Sequence, residues 1–168
     1  MHRRSWLKLG VGAGALLALG GGAVALIEPG LRNGKLAGAG RLVFSRIGPA
    51  FLDGSLPIER MQRAAAVQAF LHRTDDLIAA LPAHAQQELS QLLALLATTP
   101  GRRVLAGVAP EWEEASIPDV QAGLQSMRTS ALALRQQAYH ALHDISGGAY
   151  FSDSSTWKML GYPGPVEV

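Results

Sequence analysis

The alternation of apolar and polar positions divides the chain into a leader, a spacer and a helical body. Apolar and small residues fill positions 9–27 almost without interruption, and charge is confined to the few residues before them. Positions 28–40 lose this character and become Gly-rich, a composition with little reason to order alone. Residues 41–47 form a short apolar segment closed by Gly48-Pro49. From 57 to 81, Met61, Val67, Phe70, Leu71, Leu77 and Ile78 recur at helical spacing, with Pro57 placed near a first turn. Pro82 opens the next unit, and 84–97 carries Leu89, Leu92, Leu93, Leu95 and Leu96, a stripe broad enough for a buried helix.

Thr98-Thr99-Pro100-Gly101 stops that helix, residues 101–107 read as a short helical turn, and 109–114 as a loop anchored by Trp112. Ser116-Ile117-Pro118-Asp119 is a helix start, combining a capping hydroxyl, a first-turn proline and a carboxylate at the positive end of the dipole. One long helix is expected from there to about Ile145, with Val120, Leu124, Met127, Ala131, Leu134, Ala138, Leu142 and Ile145 on one face and Gly147-Gly148 as its end. No segment alternates as a strand does. The expected fold is an all-α bundle of about four main helices, with an extended aromatic and Pro-rich C-terminal tail and a preceding signal helix.

Composition changes this picture in two places. The formal charge of +2 comes from 15 basic and 13 acidic residues, but Arg3, Arg4 and Lys8 precede the apolar run. The 12 basic residues that remain face all 13 acids, so the body carries −1 and a nucleic-acid role loses its support. There is no cysteine, so packing, within the chain or against a partner, must supply the stability that disulfides give many exported proteins.

The leader begins Met1-His2-Arg3-Arg4-Ser5-Trp6-Leu7-Lys8. Arg3, Arg4, Trp6, Leu7 and Lys8 match the twin-arginine export signal, with Trp6 in the aromatic slot. The following run is long enough to span a bilayer, where ~20 apolar residues suffice, but its Gly- and Ala-rich composition favours a signal over an anchor. Ala23-Val24-Ala25 provides a cleavage site, weakened by Leu26-Ile27 directly after it. Uncleaved, residues 9–27 remain as a membrane tether. The chain therefore divides into a signal or anchor at 1–27, a Gly-rich linker at 28–40 and a helical domain at 41–168. Its expected location is the periplasm, reached through the twin-arginine translocase, with attachment to the inner membrane if the signal stays. Gly10-Val11-Gly12-Ala13-Gly14-Ala15 imitates a dinucleotide-binding loop, but no strand precedes it and no βαβ unit surrounds it.

Chemistry is sparse. His140, His143 and Asp144 stand at i, i+3 and i+4, as do His72, Asp75 and Asp76, yet no further ligand is indicated and a solvated or interface helix face is the better account. No hydroxyl has a glycine elbow or paired base, so no catalytic residue is assigned. The tail is richer: Tyr150, Phe151, Trp157 and Tyr162 fall within thirteen positions, and Pro163 and Pro165 stiffen the backbone beside them. Preorganised aromatic surface of this kind suits partner docking.

These residues resemble the signature of the gluconate 2-dehydrogenase subunit 3 family. The resemblance runs through Ala149-Tyr150-Phe151, Trp157 and Leu160-Gly161-Tyr162-Pro163-Gly164-Pro165. It includes Trp112-Glu113-Glu114-Ala115-Ser116, Arg128-Thr129-Ser130 with Leu134-Arg135, and Leu81-Pro82 with Thr99-Pro100-Gly101-Arg102-Arg103. Met127 stands where such proteins often carry tryptophan. The resemblance implies a non-catalytic small subunit without cofactor. Its partner would be a glucose-methanol-choline-type oxidoreductase holding FAD and the catalytic residues, with a cytochrome c subunit as electron acceptor in some complexes. It further implies that the small subunit supplies the export signal and stabilises the folded flavoprotein. Trp112, Arg128, Arg135, Tyr150, Phe151, Trp157, Tyr162, Pro163 and Pro165 are then its interface residues. The alternative is a free-standing periplasmic or membrane-tethered helical protein binding a metal or small ligand through His72, His140 and His143.

Overall fold

The computed structural model describes residues 28–161, an all-α bundle entered through a small hairpin. The signal residues and 9–27 lie outside the described residues, as do Tyr162, Pro163 and Pro165. The segment expected to be a linker is ordered. β1 (Leu31–Arg32) and β2 (Lys35–Leu36) pair antiparallel, with Leu31 opposite Leu36 and Arg32 opposite Lys35. The two-residue turn is Asn33-Gly34, with φ of 53° and 72°, the double left-handed geometry that tight hairpins demand and Asn-Gly supplies. Leu31 and Leu36 are buried, and Asp75 Oδ1 accepts from the Leu36 N–H at 2.8 Å while Ser90 Oγ accepts from Leu31 N–H at 3.0 Å. A Gly-rich stretch therefore orders because its few apolar side chains find the core and its backbone finds two helices.

Five α-helices follow. The first, α1 (Gly38–Phe51), replaces the short apolar segment read at 41–47 and packs against all four of the others. Its buried Val43, Phe44 and Ile47 are fully enclosed. Pro49 lies inside its last turn rather than ending it. Gly48 serves the packing, since a Cβ there would stand 2.3 Å from Phe70 Cε1.

α2 (Arg60–Ala79) starts on Glu59, whose carboxylate accepts from the N–H groups of Met61 and Gln62. Pro57 thus precedes the cap instead of entering the first turn. α3 (Ala83–Ala97) buries Leu89, Leu93 and Leu96 against α1. A π-helical turn, Gly101–Ala106, follows. α4 (Ile117–Arg128) opens on a capping box in which Ser116 and Asp119 exchange hydrogen bonds.

The long helix expected to reach Ile145 is two helices. α4 ends at Arg128 and α5 (Ala133–Phe151) begins after a four-residue break. Thr129 Oγ1 donates to the Gln125 carbonyl, the Ser130 hydroxyl accepts from Leu132 N–H, and Gln136 donates to the Ser130 carbonyl. Adjacent hydroxyl residues divert the backbone from the helical ladder, and Ala131, expected in the apolar stripe, is exposed in the break. Gly147-Gly148 does not stop α5. Gly148 faces Leu77, the helix continues to Phe151, and a 3-10 helix, Ser154–Leu160, succeeds it. Among the described residues no helix is long and apolar enough to cross a membrane.

Candidate partner-facing surface

The interface residues expected from the sequence fall into three places. Trp112 is 1% exposed, and its Nε1–H donates to the Leu96 carbonyl at 2.8 Å, closing the C-terminal end of α3. It is a core anchor and not a surface contact. The loop before it is organised by Arg102, also inside, whose Nη1 donates to the carbonyls of Val108, Ala109 and Pro110 and whose Nη2 meets Glu111 Oε1 at 2.5 Å. In the sequence Arg102 stands only as part of the segment Thr99-Pro100-Gly101-Arg102-Arg103, with nothing in its spacing to show that it is enclosed by the loop.

Tyr150, Phe151 and Trp157 gather at the C-terminal end of α5. Tyr150 is buried, with its hydroxyl donating to the Ser55 carbonyl at 2.6 Å. Phe151 meets it edge-on, with ring centroids 5.1 Å apart, and the Trp157 indole N–H donates to the Phe151 carbonyl at 2.7 Å. Arg73 ties this end to α2: Nε donates to the Ala149 carbonyl at 2.9 Å, Nη1 reaches Asp153 at 3.1 Å, and the guanidinium lies 5.9 Å from the Tyr150 ring centre. A cation at a helix C-terminus is favourable against the dipole. Burial pushes the Tyr150 phenol above its ordinary value, opposed by Arg73 and reinforced by Asp153. The Ser155 hydroxyl and backbone N–H hold Asp153 below the usual carboxylate range. Of the three rings, Phe151 and Trp157 keep partial exposure and Tyr150 does not.

Arg128 and Arg135 belong to a third place, the end of α4 and the start of α5. Arg135 Nε donates to the Leu105 carbonyl at 2.9 Å and Nη2 to Ser126 Oγ at 2.5 Å, joining α5 to the π-helical turn and to α4. Arg128, the last residue of α4, donates to Gln125 Oε1. The π-helical turn, the last turns of α4 and the first turn of α5 are thus joined through Arg135.

The histidines behave as a ring cluster. Tyr139 stacks on His143 at 5.8 Å, Phe51 meets both edge-on, and His140 packs against Tyr139 at 5.4 Å. His143 pairs with Asp144 at 3.2 Å. In the other cluster Asp75 is buried, holding Leu36 N–H and Arg41, while His72 and Asp76 are exposed. Among the described residues no group of three or more His, Cys, Asp or Glu is placed to hold a metal ion. An open groove of about 410 Å³ between α1 and α3 is walled by small residues, Leu42 and Thr98, with Glu28 as its one charge. It assembles no acid–base pair. No family model, curated protein or solved structure matches this chain.

Proposed function

We propose that this chain is the accessory small subunit of a periplasmic FAD-dependent dehydrogenase, escorting the folded flavoprotein through twin-arginine export and stabilising it afterwards. The observation that carries the reading is the export motif Arg3-Arg4-Ser5-Trp6-Leu7-Lys8 at the head of a chain whose family-like segments form an ordered set between about Arg41 and Pro165. Twin-arginine export moves proteins that are already folded, and a flavoprotein that binds FAD in the cytoplasm needs such a route. A cofactor-free helical body that carries the signal meets that need in trans. Catalysis, substrate choice and FAD binding belong to the partner, and a cytochrome c component takes the electrons in complexes that include one.

The test is to express Arg3→Lys/Arg4→Lys with the flavoprotein partner and fractionate the cells. Both chains are expected to remain in the cytoplasm. A flavoprotein that still reaches the periplasm in normal amount would end the escort reading.

A further inference from the structure

We propose that the groove between α1 and α3 is the seat of Leu26 and Ile27, the two residues that precede Glu28, and that this contact fixes where the leader leaves the folded body.

The course of the entering chain points there. Leu31 N–H donates to Ser90 Oγ, and Gly30 N–H donates to the Ser90 carbonyl at 3.3 Å. Gly30 is wedged between the two helices: a Cβ on it would collide with Leu93 and stand 2.6 Å from the Ser90 carbonyl. On the α1 side its carbonyl accepts from Ala37 N–H at 2.9 Å, and a Cβ on Gly40 would run into it. Glu28 lies further along the same seam, bordering the groove with Ala94, Ala97 and Thr98. A Cβ on Gly38, the first residue of α1, would stand 3.0 Å from its carboxylate. As residue number falls from 31 to 28, the chain thus advances along α3 from Ser90 toward its C-terminal end. Two more residues reach at most about 7 Å, so Ile27 and Leu26 are tied covalently to the rim of the open groove.

The lining selects the occupant. Leu42, Ala94 and Ala97 stand half-buried on the walls. Thr98 Oγ1 is already engaged, donating to the Leu95 carbonyl at 2.7 Å and accepting from Gly101 N–H at 3.1 Å. A small-molecule site of this size normally adds several convergent polar groups that orient the ligand. Here the lining offers the exposed Glu28 carboxylate alone, so apolar side chains suit it better.

Leu26 and Ile27 supply them. Positions 20–25 hold only Gly, Ala and Val, and large apolar residues return at 26 and 27. Directly after Ala23-Val24-Ala25 they are out of place as a cleavage context, and a seat on the body accounts for them. They lie on the body side of that site, so they stay with the body whether or not the leader is removed. A segment joined to its groove by so short a link acts at an effective concentration in the millimolar range. A second copy or another protein would have to displace it. The inference goes beyond the escort reading and does not depend on which partner the body serves.

A thermodynamic cycle on the full chain tests the contact. Leu26→Ser/Ile27→Ser is expected to lower the melting temperature by about 3–8 °C. Leu42→Ala should lower it as well, and the combined variant should lose less than the sum, because each change removes the other's neighbour. The protein has no cysteine, so paired substitutions report position directly. Leu26→Cys/Ala97→Cys is expected to close a disulfide within one chain under mild oxidation. Leu26→Cys/Ala64→Cys, with Ala64 exposed on α2, is expected not to. A melting temperature unchanged by Leu26→Ser/Ile27→Ser, additive losses, or equal cross-linking of the two pairs would overturn the proposal. A disulfide that joins two chains would assign the groove to a second copy and overturn it too. Each of these outcomes leaves the export test of Arg3→Lys/Arg4→Lys unaffected.

Discussion

Trp112 and Arg102 settle the course of the chain between the π-helical turn and α4. The indole fills the core beneath α3 and gives its one donor to a carbonyl at that helix's end, while the guanidinium gathers three successive carbonyls of the loop. A ring without the donor keeps most of the volume and leaves the Leu96 carbonyl unpaired. Trp112→Phe is therefore expected to cost about 1–3 kcal/mol, the penalty for orphaning a buried polar group. Trp112→Ala adds the cavity and should cost about 3–5 kcal/mol. Urea unfolding of the two variants measures both. A loss below about 0.5 kcal/mol for the alanine variant, within the range of neutral surface changes, would mean that the indole is not the anchor of this loop.

At the scale of elements, α1 shows where helical periodicity is an incomplete guide. The stripes of α2 and α3 were legible because Phe70, Leu71, Leu77, Leu89 and Leu93 repeat at helical steps, and Ser116 announced its helix through a local capping box. α1 gave no such signal: glycines at 38, 40 and 48 and Pro49 are weak helix formers, tolerated because other helices enclose the segment on every side. The Asn33-Gly34 hairpin was legible in principle, since that dipeptide demands little context, but strands of two residues leave no alternation to read. Arg128 and Arg135 were legible as residue types only; the bonds of Arg135 to the Leu105 carbonyl and to Ser126 depend on the break at 129–132, which a continuous apolar stripe concealed. Gly48 separates propensity from packing by sign. Alanine in a helix interior ordinarily stabilises by roughly 0.5–1 kcal/mol over glycine. Here the added methyl enters the Phe70 ring, so Gly48→Ala is expected to destabilise by about 1–3 kcal/mol. Phe70→Leu should make room and render the double variant more stable than the sum of the singles predicts. A stabilising Gly48→Ala, or strict additivity in the thermodynamic cycle, would show that α1 and α2 do not pack through this contact.

For the whole molecule, pH dependence follows from the groups whose proton affinity folding shifts. Glu59 is held below its ordinary value by the N–H groups of Met61 and Gln62, Asp119 by the Ser116 hydroxyl and N–H, and Asp153 by Ser155. A depressed carboxylate contributes stability that is complete above its unfolded value, near pH 4, and disappears as pH falls through the lower folded value. Tyr150 acts in the opposite sense: burial favours its neutral form, so its contribution is complete below about pH 10 and is lost as pH rises through the raised folded value. Those groups therefore contribute a plateau through neutral pH, an acid limb shared by two helix caps and the end of α5, and an alkaline limb carried by one phenol. Melting temperature against pH should show the acid limb beginning below about pH 4.5. In Glu59→Gln/Asp119→Asn/Asp153→Asn the plateau should be lower and the acid limb shallower, so that the two curves converge as pH falls. Tyr150→Phe loses the hydrogen bond to Ser55 at all pH values below the alkaline limb and should flatten that limb alone. Parallel acid limbs for wild type and the triple variant would exclude the caps as their source, because only groups that bind protons differently in the two states can change the slope.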